Sequence, residues 1–100
     1  MKLEIKNFSD NLSNKMRSAG YHYEGEDQRT GELKFYRSLS SGAYPRFHIY
    51  CRIDRQSGDL NINLHLDQKA PVYRGSAAHA GEYDGEVVEK EGGRLKQILL

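Results

Sequence analysis

Residues 46–67 have the sequence RFHIYCRIDRQSGDLNINLHLD, in which apolar and polar side chains alternate along both halves. Strict alternation is typical of a β-strand with one buried face, because successive side chains point to opposite sides of a sheet. The four residues RQSG between the halves include a glycine and favour a tight connection. The stretch therefore predicts a β-hairpin, and the rest of the fold can be built around it.

The alternation also predicts which residues of the hairpin face each other. A slip by one residue would turn the apolar side chains of one strand to water, so the register is constrained. Pairing Asp54 with Asp59 across the turn puts all the apolar residues on one face of the hairpin. On the other face, the predicted pairs are Arg52 with Asn61, Tyr50 with Asn63, His48 with His65, and Arg46 with Asp67.

Upstream of this hairpin, the sequence predicts a helix and a second hairpin. An apolar stripe at helical spacing predicts the helix, with Asn7 or Ser9 as its N-cap and Gly20 as the left-handed residue at its end. The stripe consists of Phe8, Leu12, Met16 and Ala19. Residues 21–26 and 32–39 flank the turn-rich segment DQRTG and predict two strands.

The two ends of the chain give less regular patterns. Apolar residues alternate in MKLEI at the start, but five residues are too few to predict a strand. Near the end, Asp84 is a predicted N-cap for a last helix that carries Val87, Val88, Leu95, Ile98 and Leu99. Gly92 and Gly93 interrupt this helix, and they would end it early, kink it or permit close contact with the sheet.

These elements predict a single α+β domain over residues 1–100. Its core is a four-stranded antiparallel meander, with an N-terminal and a C-terminal helix packed on the one apolar face, in the order α-β-β-β-β-α. A long ordered loop, residues 68–84, precedes the last helix.

Composition limits the function only broadly. The lone cysteine, Cys51, cannot form an internal disulfide, which favours a cytoplasmic location. No apolar run is long enough for a membrane span, so no membrane partner is expected. Residues 28–55 hold six basic and two acidic side chains, whereas residues 82–91 hold five acidic and one basic. Segments of opposite charge favour self-association of the chain.

One candidate site is a metal centre. In the predicted register His48 and His65 are cross-strand neighbours, and Asp67 lies on the same face. With His79 from the loop, they form a donor set for a divalent metal, zinc or manganese. A bound metal would allow hydrolysis, with Glu82 as a base. The alternative is that a cross-strand histidine pair and acids near a helix start are structural.

The other candidate is a binding surface on the polar face of the sheet, together with the loop 68–84. Its residues are Tyr36, Arg46, Tyr50, Arg52, Asn63 and Arg74. The first interpretation is a small binding or assembly module, not an enzyme, whose partner is another protein or a second copy. Tyrosine and arginine side chains on a sheet also suit single-stranded nucleic acid, which is a further alternative.

Overall fold

The computed structural model describes residues 1–68, 81–82 and 85–100, which form an antiparallel sheet with two helices. Its elements are β1 Lys2–Ile5, α1 Leu12–Ser18, β2 His22–Glu26, β3 Leu33–Ser38, β4 Arg46–Ile53, β5 Leu60–Asp67, β6 Gly81–Glu82 and α2 Glu86–Leu99. The strand order is β1-β5-β4-β3-β2, and the two-residue β6 pairs with the C-terminal end of β5, beyond β1. The α+β class predicted from the sequence is therefore confirmed.

The central hairpin has the predicted register at every position. Arg46 faces Asp67, His48 faces His65, and the pairing continues without a shift to Ile53 and Leu60. The turn is closed by the Asp54 amide, which donates to the Asp59 carbonyl at 2.9 Å. Burial of the apolar face explains why the alternation predicts the register, since every apolar member of both strands except Ile53 belongs to the core.

The predicted four-stranded meander corresponds to β2–β5, but the sheet is larger than predicted. β1 pairs with the open edge of β5, and the Leu64 amide donates to the Met1 carbonyl at 2.8 Å. Leu3 and Ile5 are only 4% and 3% exposed. The alternation in MKLEI is thus that of a strand, and the long-range pairing with β5 stabilises a segment too short to predict by itself.

Helix α1 is shorter than its apolar stripe. Its N-cap is Asn11, whose side chain accepts from the Asn14 amide at 2.9 Å, and not the predicted Asn7 or Ser9. Phe8 is buried in the core, although it lies in the preceding turn, where its amide donates to the Gly58 carbonyl. Gly20 ends the helical segment with φ +93, as predicted.

Helix α2 continues through both glycines. Its N-cap is Gly85, not Asp84, which lies outside the described residues. A Cβ atom on Gly92 would lie 2.5 Å from the Met1 sulfur, whereas one on Gly93 would meet nothing within 4 Å. Of the three alternatives for this glycine pair, close contact with the sheet applies to Gly92.

This difference predicts unequal changes in stability for two neighbouring substitutions. Gly93→Ala should raise the free energy of unfolding by about 0.5–1 kcal/mol, because alanine is the better helix former. Gly92→Ala should give a smaller gain or a loss, since the Met1 side chain must move to admit the new methyl group. Urea denaturation of both variants provides the measurement. Equal stabilisation by both would show that the contact with Met1 does not constrain position 92.

Two further predictions concern the whole chain. The long ordered loop lies mostly outside the described residues, which include only Gln68, Gly81 and Glu82 of it. In the part of the chain that the structure describes, neither helix has the length and apolar character needed to span a bilayer.

The cysteine of the chain lies in the core. Cys51 is 1% exposed, and burial raises the pKa of its thiol to about 12.

Candidate metal centre on the polar face of the sheet

Strand pairing brings the chemically active side chains of three strands together on the polar face. Tyr36, His48 and His65 form one row across β3, β4 and β5. In the next row, Arg46 lies beside Asp67. The in-register hairpin is therefore what places two imidazoles next to a carboxylate.

His48, His65 and Asp67 are close enough to share one ligand. His65 Nε2 lies 3.1 Å from one Asp67 oxygen, and His48 Nδ1 lies 3.8 Å from the other. The two imidazole rings are 5.0 Å apart and nearly perpendicular. One donor atom from each of the three residues lies within 4.8 Å of the other two. Three of the four predicted metal ligands thus converge, and the fourth, His79, lies outside the described residues.

Both histidines are buried, although they are on the polar face. His48 is 9% exposed and His65 is 7% exposed. Burial is the largest influence on each imidazole and lowers its pKa, against the neighbouring carboxylates, which raise it. The lowered pKa of each ring favours its neutral form, in which an imidazole nitrogen can bind a metal.

Glu24, on strand β2, lies next to the cluster formed by His48, His65 and Asp67. A bulge between Tyr23 and Gly25 shifts the strand register there. One Glu24 oxygen lies 2.8 Å from His48 Nε2, and the other lies 3.3 Å from an Arg46 terminal nitrogen. His48 Nε2 has no hydrogen-bond partner in the described part of the chain, so its contact with Glu24 is electrostatic and not an aligned hydrogen bond.

Arg46 forms the outer wall of the cluster. Its guanidinium lies 4.9 Å from the centres of both the Tyr36 and the Tyr44 rings. Two aromatic rings at this distance attract the cation and restrict the movement of the guanidinium. Arg46 and Tyr36, two residues of the predicted binding surface, therefore contact each other.

The remaining residues of that predicted surface have different surroundings. The Tyr50 ring lies 4.8 Å from His48 and 6.0 Å from His65, so it belongs to the cluster. Arg52 is exposed and donates to the Thr30 carbonyl at 2.7 Å. Asn63 lines a shallow cavity with Arg52. Arg74 lies outside the described residues.

Two residues of the site, Glu24 and Tyr44, were missed from the sequence. Glu24 is two residues from His22, and this spacing on a strand indicates the polar face. The bulge that directs Glu24 towards His48 gives no pattern that could be recognised beforehand. Tyr44 lies in an irregular segment before β4, where no period predicts the direction of a side chain.

A second buried polar cluster lies at the opposite face, under helix α2. Glu91 is 5% exposed and accepts a hydrogen bond from the Tyr21 hydroxyl at 2.6 Å. Arg94 donates to both Glu91 oxygens at 2.8 Å and also to the Ala19 carbonyl at 2.7 Å. Arg37 lies 3.8 Å from the same carboxylate. These contacts tie α2 to the end of α1 and to β3.

No protein-family model matches this chain, and comparisons with curated proteins and with solved structures give no significant match. The function is therefore inferred from the contacts described above.

Proposed function

We propose that His48, His65 and Asp67 bind a divalent transition-metal ion, with zinc as the preferred ion. The observation that carries this proposal is the convergence of three donor atoms within 4.8 Å in a buried setting. Two imidazole nitrogens and one carboxylate oxygen are a common protein donor set for zinc. Two imidazoles favour zinc over manganese, which prefers oxygen ligands.

The distances support a site that needs only small movements to close. Metal–donor bonds of about 2.0–2.1 Å in a tetrahedron place neighbouring donor atoms about 3.3 Å apart. His65 Nε2 lies 3.1 Å from one Asp67 oxygen and His48 Nδ1 lies 3.8 Å from the other, both near this value, and a rotation of the carboxylate would offer one oxygen to a shared ion. One donor atom of each residue already lies within 4.8 Å of the other two, so small side-chain rotations would complete the site.

The position of Glu24 also supports the proposal. If His48 binds the metal through Nδ1, its other nitrogen remains protonated and faces the Glu24 carboxylate, 2.8 Å away. A negative charge beside the N–H group of an imidazole favours the tautomer that leaves Nδ1 free to bind a metal. Glu24 also binds Arg46, which reduces the repulsion between that cation and a metal ion.

Zinc should raise the stability of the folded protein. At a zinc concentration a hundredfold above the dissociation constant, the expected gain is about 2.7 kcal/mol. His65→Ala should abolish this gain, and EDTA should reverse it. His22→Ala is the matched control, since His22 is an exposed histidine at the edge of the same face, beside Tyr36. Thermal unfolding with and without zinc gives the stability change, and isothermal titration gives the stoichiometry.

Because His65 is buried, its replacement by alanine can also weaken the fold. Asp67→Asn provides a second variant that keeps the side-chain volume and removes the charge, and it should weaken zinc binding. A zinc-induced stabilisation that is equal in the wild type, His65→Ala and Asp67→Asn would refute the site.

A second candidate function is binding of a protein partner or a second copy through the open part of the polar face. It is supported by a shallow cavity that the side chains of Lys2, Glu32, Arg52, Asn61 and Asn63 help to line. Its mixture of opposite charges suits a protein surface better than a polyanion such as nucleic acid. Light scattering of the samples used for zinc titration gives the molar mass, and a monomer mass at all concentrations would exclude self-association.

A further inference from the structure

Arg46 has hydrogen-bonding capacity that its contacts do not use. Its terminal nitrogen reaches one Glu24 oxygen at 3.3 Å, a single long contact. Its Nε atom is buried and has no hydrogen-bond partner anywhere in the described part of the chain. A buried donor without a partner is destabilising, so this arrangement favours a ligand that would satisfy it.

The orientation of the guanidinium determines what such a ligand would be. Its central carbon lies 4.9 Å from the centres of both the Tyr36 and the Tyr44 rings, and the Arg46 side chain is 18% exposed. The Nε and terminal N–H groups of an arginine form a fork that matches two oxygens of a carboxylate or a phosphate. An oxyanion in this position would receive two parallel hydrogen bonds where Glu24 receives one.

Glu24 already shows that a carboxylate fits between Arg46 and His48. Its oxygens lie 3.3 Å from Arg46 and 2.8 Å from His48 Nε2. The residue is on β2, which pairs on one side only, with β3, and is bulged at this point. The Glu24 side chain is 28% exposed, so a rotation towards solvent would vacate its position.

We propose that Arg46 and His48 form a binding site for a small oxyanion group, a carboxylate or a phosphate monoester, and that Glu24 occupies it in the absence of ligand. The site is stacked between Tyr36 and Tyr44, which would pack against the body of the ligand. The inference does not rest on metal binding, because the oxyanion faces Nε2 of His48 and the metal would be bound by Nδ1.

Removing the charge of Glu24 should strengthen the binding of an external oxyanion. In EDTA, isothermal titration with inorganic phosphate and with acetate should give weak binding to the wild type and about tenfold tighter binding to Glu24→Gln. This corresponds to about 1.4 kcal/mol, near the value of one hydrogen bond to a charged group. Glu26→Gln, an exposed position on the same strand, is the matched control and should behave like the wild type.

Arg46→Lys tests the requirement for a fork in the background of Glu24→Gln. Lysine keeps the positive charge but cannot donate two parallel bonds, so the gain in affinity should be lost. Glu24→Ala is a second variant, because the amide of a glutamine can still occupy the position of the carboxylate and alanine cannot. It should also show the gain in affinity. Tighter binding of phosphate alone would assign the site to phosphate groups, and tighter binding of both ions would assign it to oxyanions in general.

The proposal would be overturned if neither Glu24→Gln nor Glu24→Ala changed the affinity for the ions. It would also be overturned if Arg46→Lys left the gain in affinity unaffected. Because EDTA removes metal ions, failure of this experiment leaves the zinc proposal unaffected, and the converse also holds.

Discussion

Replacement of Glu91 by alanine should lower the free energy of unfolding by about 3–5 kcal/mol, the usual cost of removing one partner from a buried ion pair. The carboxylate accepts hydrogen bonds from Tyr21 and Arg94 and lies 3.8 Å from Arg37. Without it, the Tyr21 hydroxyl remains in a buried position and the two cations lose the charge between them. Arg94 is 36% exposed and can be partly hydrated, which places the expected loss near the lower value.

The control is Glu89→Ala, which removes the same side chain from an exposed position of the same helix. It should change the free energy of unfolding by less than about 0.5 kcal/mol. Tyr21→Phe removes only the hydroxyl and should cost about 1–2 kcal/mol. Urea denaturation at pH 7 measures all three variants. A loss for Glu91→Ala as small as that for Glu89→Ala would show that the cluster under α2 contributes nothing to stability.

Acidification from pH 7 to pH 5 should destabilise the metal-free protein through His48 and His65. Burial lowers the pKa of both imidazoles below their ordinary value of 6.5. Below that value, the unfolded chain binds protons that the folded protein does not, so stability falls as the pH falls. The loss is at most about 1.4 kcal/mol per pH unit for each histidine, and it ends below the folded-state pKa values.

The groups around these imidazoles act in both directions. Glu24 raises the pKa of His48, and Asp67 raises the pKa of both histidines, whereas Arg46 lowers both values. The charged amino terminus also lowers the pKa of His65. Burial remains the largest influence, so the net direction is the one given above.

Thermal unfolding in EDTA at several pH values between 5 and 7 measures this dependence. Replacing both His48 and His65 by asparagine should flatten the curve, while His22→Asn, an exposed control, should leave its slope unchanged. Glu91 does not interfere in this range. Its contacts lower the pKa of its carboxyl below 4.5, so its contribution is retained above that pH and lost only in stronger acid. An unchanged slope in the double variant would show that these histidines are not responsible.

Much of the candidate site follows from alternation alone. Because side chains on a strand point to alternate faces, the positions of His48, His65 and Asp67 in the sequence determine that they share one face. The apolar partners of these residues then determine the register, which makes the histidines neighbours. The depth at which the imidazoles are buried does not follow, since a polar face is ordinarily exposed.

The spacing of residues in α2 indicates that Glu91 is buried. Val88, Glu91 and Leu95 are spaced by three and four residues, so the acid belongs to the apolar stripe of α2. Its partners could not be predicted in the same way. Tyr21 and Arg37 come from β2 and β3 regions far away along the chain, and only helix packing brings them to the carboxylate.

By itself, the sequence determined the α+β class, the central hairpin and its register, and the shared face of the three predicted metal ligands. Each of these depends on local periodicity and on burial of one apolar face, and both can be recognised in a single chain segment. Tertiary structure alone decided the addition of β1 to the sheet, the direction of Glu24 and the stacking of Arg46 between two tyrosines. These features depend on contacts between distant segments, on a bulge and on an irregular turn, for which no periodic pattern exists.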